Sequence, residues 1–238
     1  MMKTLTHCLL AALPALALSA CNQSDPDADG TATDATSSAD GETEEPTMLE
    51  GDYFPLVDGA SWTYRHVATD GTTWDEIVMM REVTFNGATA YEIEDNAGNN
   101  GENTISTLMD MDGQVMRVHK EVLLAGTQVM TVDYVPGFLR FNNGWSSDER
   151  TDWIYDRTEY DDMAAITDES ERHQIFQLES LSTEVTVPAG TFDCVQFLRT
   201  RADTGESKRF WFAEGIGKIK HETLSTGSVE ELAEYQIP

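Results

Sequence analysis

The sequence predicts a mainly β domain, built from a single antiparallel sheet that curls into a half-barrel or open barrel. Short runs rich in Val, Ile, Thr and aromatic residues alternate with Gly, Asn and Asp, which is typical of strands and turns. No long stretch keeps helical spacing with caps, and residues 117–126 (RVHKEVLLAG) come nearest to doing so. Many strands joined in chain order by short turns imply a meander, whose edges must be covered, and this requirement favours curling.

The chain begins with the features of a secretory signal. Lys3 supplies a short basic region, and residues 5–20 form an apolar run that is too short for a membrane span. The run ends in LSAC, which resembles the bacterial lipobox. That resemblance implies cleavage before Cys21 and acylation of Cys21, with residues 1–20 as a lipoprotein signal peptide; the alternative is an ordinary signal peptide with a chance cysteine. Asn22 implies sorting to the outer membrane, with the domain facing the periplasm or the cell surface.

A polar tether follows the lipid. Residues 21–50 contain nine acidic residues and no Lys, Arg or aromatic residue. Such a segment cannot bury enough apolar surface to offset its ordering entropy, so it is predicted to be a disordered acidic linker. A solvated spacer is its plainest function, and a cation-binding tail is the alternative.

The remaining residues, 51–238, are predicted to form one β domain. They hold all 21 aromatic residues, with 34 acidic and 14 basic side chains, a net charge near −20. This charge excludes nucleic acid and anionic lipid surfaces as partners, while cations, basic proteins and neutral or apolar ligands stay open. The last strand shows the pattern most clearly, because Val229, Tyr235 and Ile237 alternate with polar residues. Asn86-Gly87 and Asp112-Gly113 are predicted to form tight hairpin turns.

Twelve runs are candidate strands. They are SWTYRHVA, TWDEIVMMREV, TAYEIED, NTISTLMDM, QVMRVHK, TQVMTVDYV, TDWIYDRTEY, HQIFQLESLSTEVTV, FDCVQFLRTRA, SKRFWFA, GKIKHETL and SVEELAEYQI.

Three stretches together resemble a known layout. They are YFPL at 53–56 with the following Gly, Trp and Tyr, VPAGTFDC at 187–194, and FWFAEGIGKIK at 210–220. This set is similar to uncharacterised bacterial envelope lipoproteins, which by analogy are curled antiparallel sheets, similar in outline to the periplasmic lipoprotein-carrier and lipoprotein-receptor fold. The resemblance implies no assigned activity, cofactor or catalytic residue.

Few residues point to catalysis or metal binding. The histidines that follow the signal have no ligand spacing and are expected on strand surfaces, and Cys194 is expected to be a small buried side chain. No CxxC, G-x-S-x-G or S-x-x-K motif occurs. Two acid-rich loops, 94–103 and 159–163, carry the oxygen-rich side chains that calcium prefers, but neither has the D-x-[DN]-x-[DN]-G spacing, so turn chemistry or a solvated face is favoured. We therefore expect no enzyme, no metal and no cofactor.

Aromatic residues are the remaining candidates for a site. One face of a curled sheet lines a hollow, and Trp and Tyr suit such a place because each combines an apolar body with a polar group. The candidate ligand-lining residues are Trp153, Tyr155, Phe210, Trp211 and Phe212; an ordinary core role is the alternative. The sequence thus favours a non-catalytic outer-membrane lipoprotein that binds an apolar or amphiphilic ligand or an envelope partner. A structural subunit of an envelope assembly, or an enzyme, are the alternatives.

Overall fold

Twelve antiparallel strands form the domain. The computed structural model describes residues 47–96, 98, 101–147 and 149–238, so the predicted signal peptide, Cys21 and most of the predicted linker lie outside the described residues. The described residues belong to one compact unit. The strands are β1 Ser61–Val67, β2 Thr73–Phe85, β3 Ala88–Asp95, β4 Glu102–Met111, β5 Gln114–Leu124, β6 Thr127–Asn142, β7 Arg150–Asp161, β8 Ile166–Val187, β9 Gly190–Arg201, β10 Ser207–Ala213, β11 Gly217–Thr223 and β12 Ser228–Gln236.

The mainly β, antiparallel prediction is confirmed, and each of the twelve candidate runs contributes a strand. The run nearest to a helix, RVHKEVLLAG, lies mostly in β5. Asn86-Gly87 and Asp112-Gly113 form the predicted turns with positive φ angles of 51° and 83°, and of 56° and 82°. Such φ angles match the right-handed twist of the strands that they connect. No helix in the described part of the chain is long and apolar enough to cross a membrane.

The prediction of a half-barrel or open barrel is wrong, because the sheet closes on itself. Ser61 of β1 is opposite Met79 of β2 on one side and opposite Gln236 of β12 on the other. Closure removes both unpaired edges, which curling alone would leave to be covered. The hydropathy pattern could not show this, since the β1–β12 pair joins the two ends of the domain.

Aromatic rings fill one part of the interior. Five of them form a cluster with ring centroids 5.0–6.2 Å apart: Phe141, Trp145, Phe176, Phe197 and Phe212. Aromatic pairs at this spacing add to the stability that burial alone provides. This packed region therefore forms the rigid core of the barrel.

The segment before β1 packs against this core. Leu49 is buried and its N–H donates to the carbonyl of Trp145 at 2.8 Å. Tyr53 stacks on Phe141, and Phe54 stacks on Phe212 at a centroid distance of 5.7 Å. The last residues of the predicted linker thus contact the barrel. The YFPL stretch at 53–56 belongs to no strand and packs against the barrel interior.

Candidate functional site

A cavity of about 260 Å³ lies within the barrel. This volume is slightly below the range of about 300–1,000 Å³ that is usual for small-molecule sites. Its apolar lining includes Phe54, Trp62, Met80, Phe210 and Phe212. Its polar lining includes five Lys and Arg side chains and three carboxylates: Arg117, Arg140, Arg199, Lys208, Lys218, Glu76, Asp95 and Glu230. The cavity wall therefore carries an excess of positive charge inside a domain that is strongly negative.

The lining is polarised along the barrel. Inward positions on several strands change from apolar to charged over a few residues, and the antiparallel register places the charged positions toward the same end. Among the lining residues, the steps, apolar residue first, are Met80 to Glu76 on β2, Ile93 to Asp95 on β3 and Phe212 to Lys208 on β10. The core residues Phe197 on β9 and Leu232 on β12 are followed in the same direction by Arg199 and Glu230. Lys218 of β11 is the exception, because it is opposite Phe212. A molecule lying along the barrel would thus meet an apolar region and a charged region in sequence.

A buried ion-pair cluster surrounds Glu230. Glu230 is opposite His66 of β1 and His221 of β11 in the sheet register. His221 Nδ1 lies 2.9 Å from the Glu230 carboxylate, His66 Nε2 lies 3.9 Å from it, and the Lys218 ammonium contacts it directly. Burial by itself would raise the pKa of Glu230, but the Lys218 charge and the contact with His221 outweigh it and hold that pKa far below its ordinary value. Burial lowers the pKa of His221 despite the same carboxylate.

Part of this cluster has the spacing of a metal site. One ligand atom from each of His66, Glu76 and Glu230 lies within 4.8 Å of the others. However, the Lys218 ammonium is already in contact with Glu230, so a metal ion would compete with a cation that the chain itself supplies. The expectation that the histidines lie on strand surfaces is wrong for His66 and His221, whose side chains are only 18% exposed.

Three arginines gather around one aromatic ring at the charged end. The guanidinium carbons of Arg117, Arg140 and Arg199 lie 5.9, 5.6 and 5.2 Å from the centroid of Phe138, and that of Arg199 also lies 4.8 Å from the Phe210 centroid. We call this set the arginine triad. Arg140 is brought there by a β-bulge, because Phe141 and Leu139 face consecutive residues of β5 and leave Arg140 as the extra residue.

A second cavity of about 380 Å³ shares Arg199 and Lys208 with the first. Its other basic residues are paired with carboxylates. Arg157 lies 3.4 Å from Asp168, and both Arg172 and Arg201 reach Asp203, at 3.2 and 2.8 Å. Apart from Arg199, the basic side chains that line the second cavity thus all have a carboxylate neighbour.

The predicted ligand-lining residues are distributed over both cavities. Phe210 and Phe212 line the first cavity and Tyr155 lines the second. Trp153 donates its indole N–H to the Gly137 carbonyl at 2.8 Å, and Trp211 donates to Gln196 Oε1 at 2.8 Å on the opposite face of β10. Neither Trp lines a cavity described above.

Sequence reasoning missed the charged half of the site. A signal was present for Arg199, which follows Phe197 and Leu198 inside a strand. The period of two along a strand places Arg199 on the face of the buried Phe197, and hence toward the interior. At Arg140 the bulge interrupts this period, so the sequence carried no such signal there.

The acid-rich loop at 159–163 and Cys194 have structural roles, whereas residues 97, 99 and 100 of the other acid-rich loop lie outside the described residues. The Asp161 carboxylate accepts hydrogen bonds from the backbone N–H groups of Met163 and Ala165, at 3.0 and 2.8 Å, which is turn chemistry. Cys194 is 1% exposed, and burial raises the pKa of its thiol to about 12.

Comparison with known proteins identifies the fold of the chain and nothing about its function. No family model matches the chain, and no curated protein matches it either. A proposed exported protein of Bacteroides fragilis with a YmcC-like fold is similar in structure, with a TM-score of 0.52 and 14% identity over 79% of this chain and all of that chain. A proposed lipoprotein of Parabacteroides distasonis aligns with a TM-score of 0.37 and 13% identity, over 78% of this chain and 99% of that chain. The chain therefore has the fold of the first of these proteins.

Proposed function

We propose that this chain is a lipid-anchored protein of the bacterial outer membrane, and that it binds an amphiphilic small molecule in its barrel without altering it chemically. The observation that carries the proposal is the polarised cavity, in which apolar and charged positions succeed one another along the barrel. Such a lining matches a molecule with an apolar tail and a polar head.

Two further facts support the envelope location. The LSAC sequence ending at Cys21 has the form of a lipobox. The protein that shares the fold is described as exported. Outer-membrane sorting rests on Asn22 after the cysteine.

A saturation experiment tests the binding function. Full-length protein with Cys21→Ala, which removes the acylation site, would be titrated with a fluorescent fatty-acid analogue while tryptophan emission is recorded. Phe54→Ala should weaken binding at least fivefold, because Phe54 lines the first cavity. Phe54 lies in the segment before β1, so the substitution changes no strand residue. Phe192→Ala is the matched control, since Phe192 is a partly buried ring outside the cavity that packs against Tyr235.

Two outcomes would contradict the proposal. One is the absence of saturable binding by the folded protein, and the other is equal weakening by both substitutions. In either case, the alternative of a structural subunit in an envelope assembly would take its place.

A further inference from the structure

We propose that the first cavity binds an oxyanion, which is a carboxylate or a phosphate, through Arg117, Arg140 and Arg199. In its full form the oxyanion is the head group of an amphiphile, and that form rests on the binding function proposed above. An anionic ligand was not among the classes that the net charge of the domain left open, which were cations, basic proteins and neutral or apolar ligands.

The geometry of the triad leaves hydrogen-bond donors available. All three guanidinium groups lie within 6 Å of the Phe138 centroid, so the ring gathers three positive charges into a small volume. Each guanidinium carries five N–H donors in a plane and no acceptor. Planar forks of this kind match the two oxygens of a carboxylate or phosphate.

The triad has no carboxylate partner among the residues that the structure describes. None of the three arginines makes an ion pair there, and the Nε of Arg117 is buried without a hydrogen-bond partner. In the neighbouring cavity, Arg172 and Arg201 both contact Asp203. A domain with 34 acidic residues thus leaves the three arginines of the triad without a carboxylate in ion-pair contact, whereas Lys208 and Lys218 of the same lining have one.

The three arginines are partly buried, and a partly buried charge without a partner is unfavourable, so a bound anion would stabilise them. Burial lowers the pKa of Arg199 to about 10, with the charge of Arg117 as the next cause, and the same two causes lower the pKa of Arg140 well below its ordinary value. A buried cation is normally stabilised by pairing and hydrogen bonding. An oxyanion in contact with the triad would supply both.

The cavity also indicates how an amphiphile would lie. Lys208 precedes Phe210 and Phe212 along β10, and Lys208 is opposite Arg199 in the register of β9 and β10. An anionic head at the triad would therefore place its tail along the apolar lining, toward Phe54 and Trp62. Free inorganic phosphate offers the same oxyanion as the head group of an amphiphile, so the experiment must distinguish these two kinds of ligand.

Calorimetric titration of the full-length Cys21→Ala protein separates them. The probes are laurate, dodecyl phosphate, dodecanol as the neutral molecule of equal chain length, and inorganic phosphate. We expect laurate and dodecyl phosphate to bind at least tenfold more tightly than dodecanol. Arg140→Gln and Arg199→Gln should each weaken laurate binding at least tenfold and change dodecanol binding less than twofold. Arg209→Gln is the control, because it removes one positive charge from an exposed pair with Glu179.

Each outcome decides a separate point. Equal affinity for laurate and dodecanol, with no effect of the arginine substitutions, would overturn the oxyanion inference and leave the binding function intact. Triad-dependent binding of inorganic phosphate without binding of laurate would support the oxyanion site and overturn the amphiphile. No binding of any probe by the folded protein would overturn both. Thermal unfolding of each variant verifies that a loss of binding is not a loss of fold.

Discussion

Replacing Arg199 by Met should stabilise the ligand-free protein, although it removes a side chain from the barrel interior. Burial and the neighbouring Arg117 lower the pKa of Arg199 from 12.5 to about 10. At 1.36 kcal/mol for each pH unit, the charged guanidinium is disfavoured by about 3 kcal/mol in the folded state. Met has a similar length and carries no charge.

Two favourable contacts are lost in the same substitution. The Arg199 guanidinium lies 5.2 Å from the Phe138 centroid and 4.8 Å from the Phe210 centroid. Each contact contributes about 0.5–1 kcal/mol, and more when it is desolvated. The net gain should therefore be about 1–2 kcal/mol, which for a domain of this size raises Tm by about 3–6 °C.

Thermal unfolding followed by circular dichroism measures this effect on protein that has been stripped of bound lipid. Arg209→Met is the matched control, because its exposed pair with Glu179 contributes about 0–1 kcal/mol and its loss can only lower Tm. With saturating laurate, the wild-type protein should gain more in Tm than Arg199→Met does. A Tm of Arg199→Met below that of the wild type, without ligand, would refute the idea that Arg199 is uncompensated.

Three other predictions concern Glu230, Cys194 and Cys21. The pKa of Glu230 lies below its ordinary 4.5, so its stabilising effect is present above about pH 4.5 and is lost as the pH falls through the folded-state pKa. Glu230→Gln should therefore lower the free energy of unfolding by about 3–5 kcal/mol at pH 7. In urea titrations below pH 4.5 the difference between the variant and the wild type should be smaller. A difference that does not depend on pH would count against the ion-pair cluster. The buried Cys194 thiol should react with a thiol reagent only slowly until the protein is denatured, and fast reaction in the native state would contradict its burial. Cys21→Ala should abolish incorporation of a fatty-acid analogue in cells and release the protein from the membrane fraction, whereas unchanged labelling would rule out lipidation at Cys21.

The net charge of the domain does not give the charge of its cavity. The excess of acidic residues in the domain is real, but an average over the chain says nothing about which charges face inward. In the folded chain, five basic side chains against three carboxylates line the first cavity. The local sign of the site is thus opposite to the sign of the domain.

Local features of the chain could be predicted from the sequence. Side-chain alternation and turn chemistry depend on residues a few positions apart, and therefore the strands and the turns at Asn86-Gly87 and Asp112-Gly113 follow from composition and spacing. The burial of Cys194 follows from the same local pattern.

Closure of the barrel and assembly of the site were decided only by the tertiary structure. The partner of β1 is β12, at the far end of the domain, and alternation identifies a strand without identifying its neighbour. Closure is also what brings His66 of β1 beside Glu230 of β12. The triad depends in addition on a bulge at Arg140 and on the ring of Phe138, around which arginines from β5, β6 and β9 meet. Because these contacts join distant parts of the chain across the interior, no local pattern carries them, and the charged half of the cavity exists only once the barrel has closed.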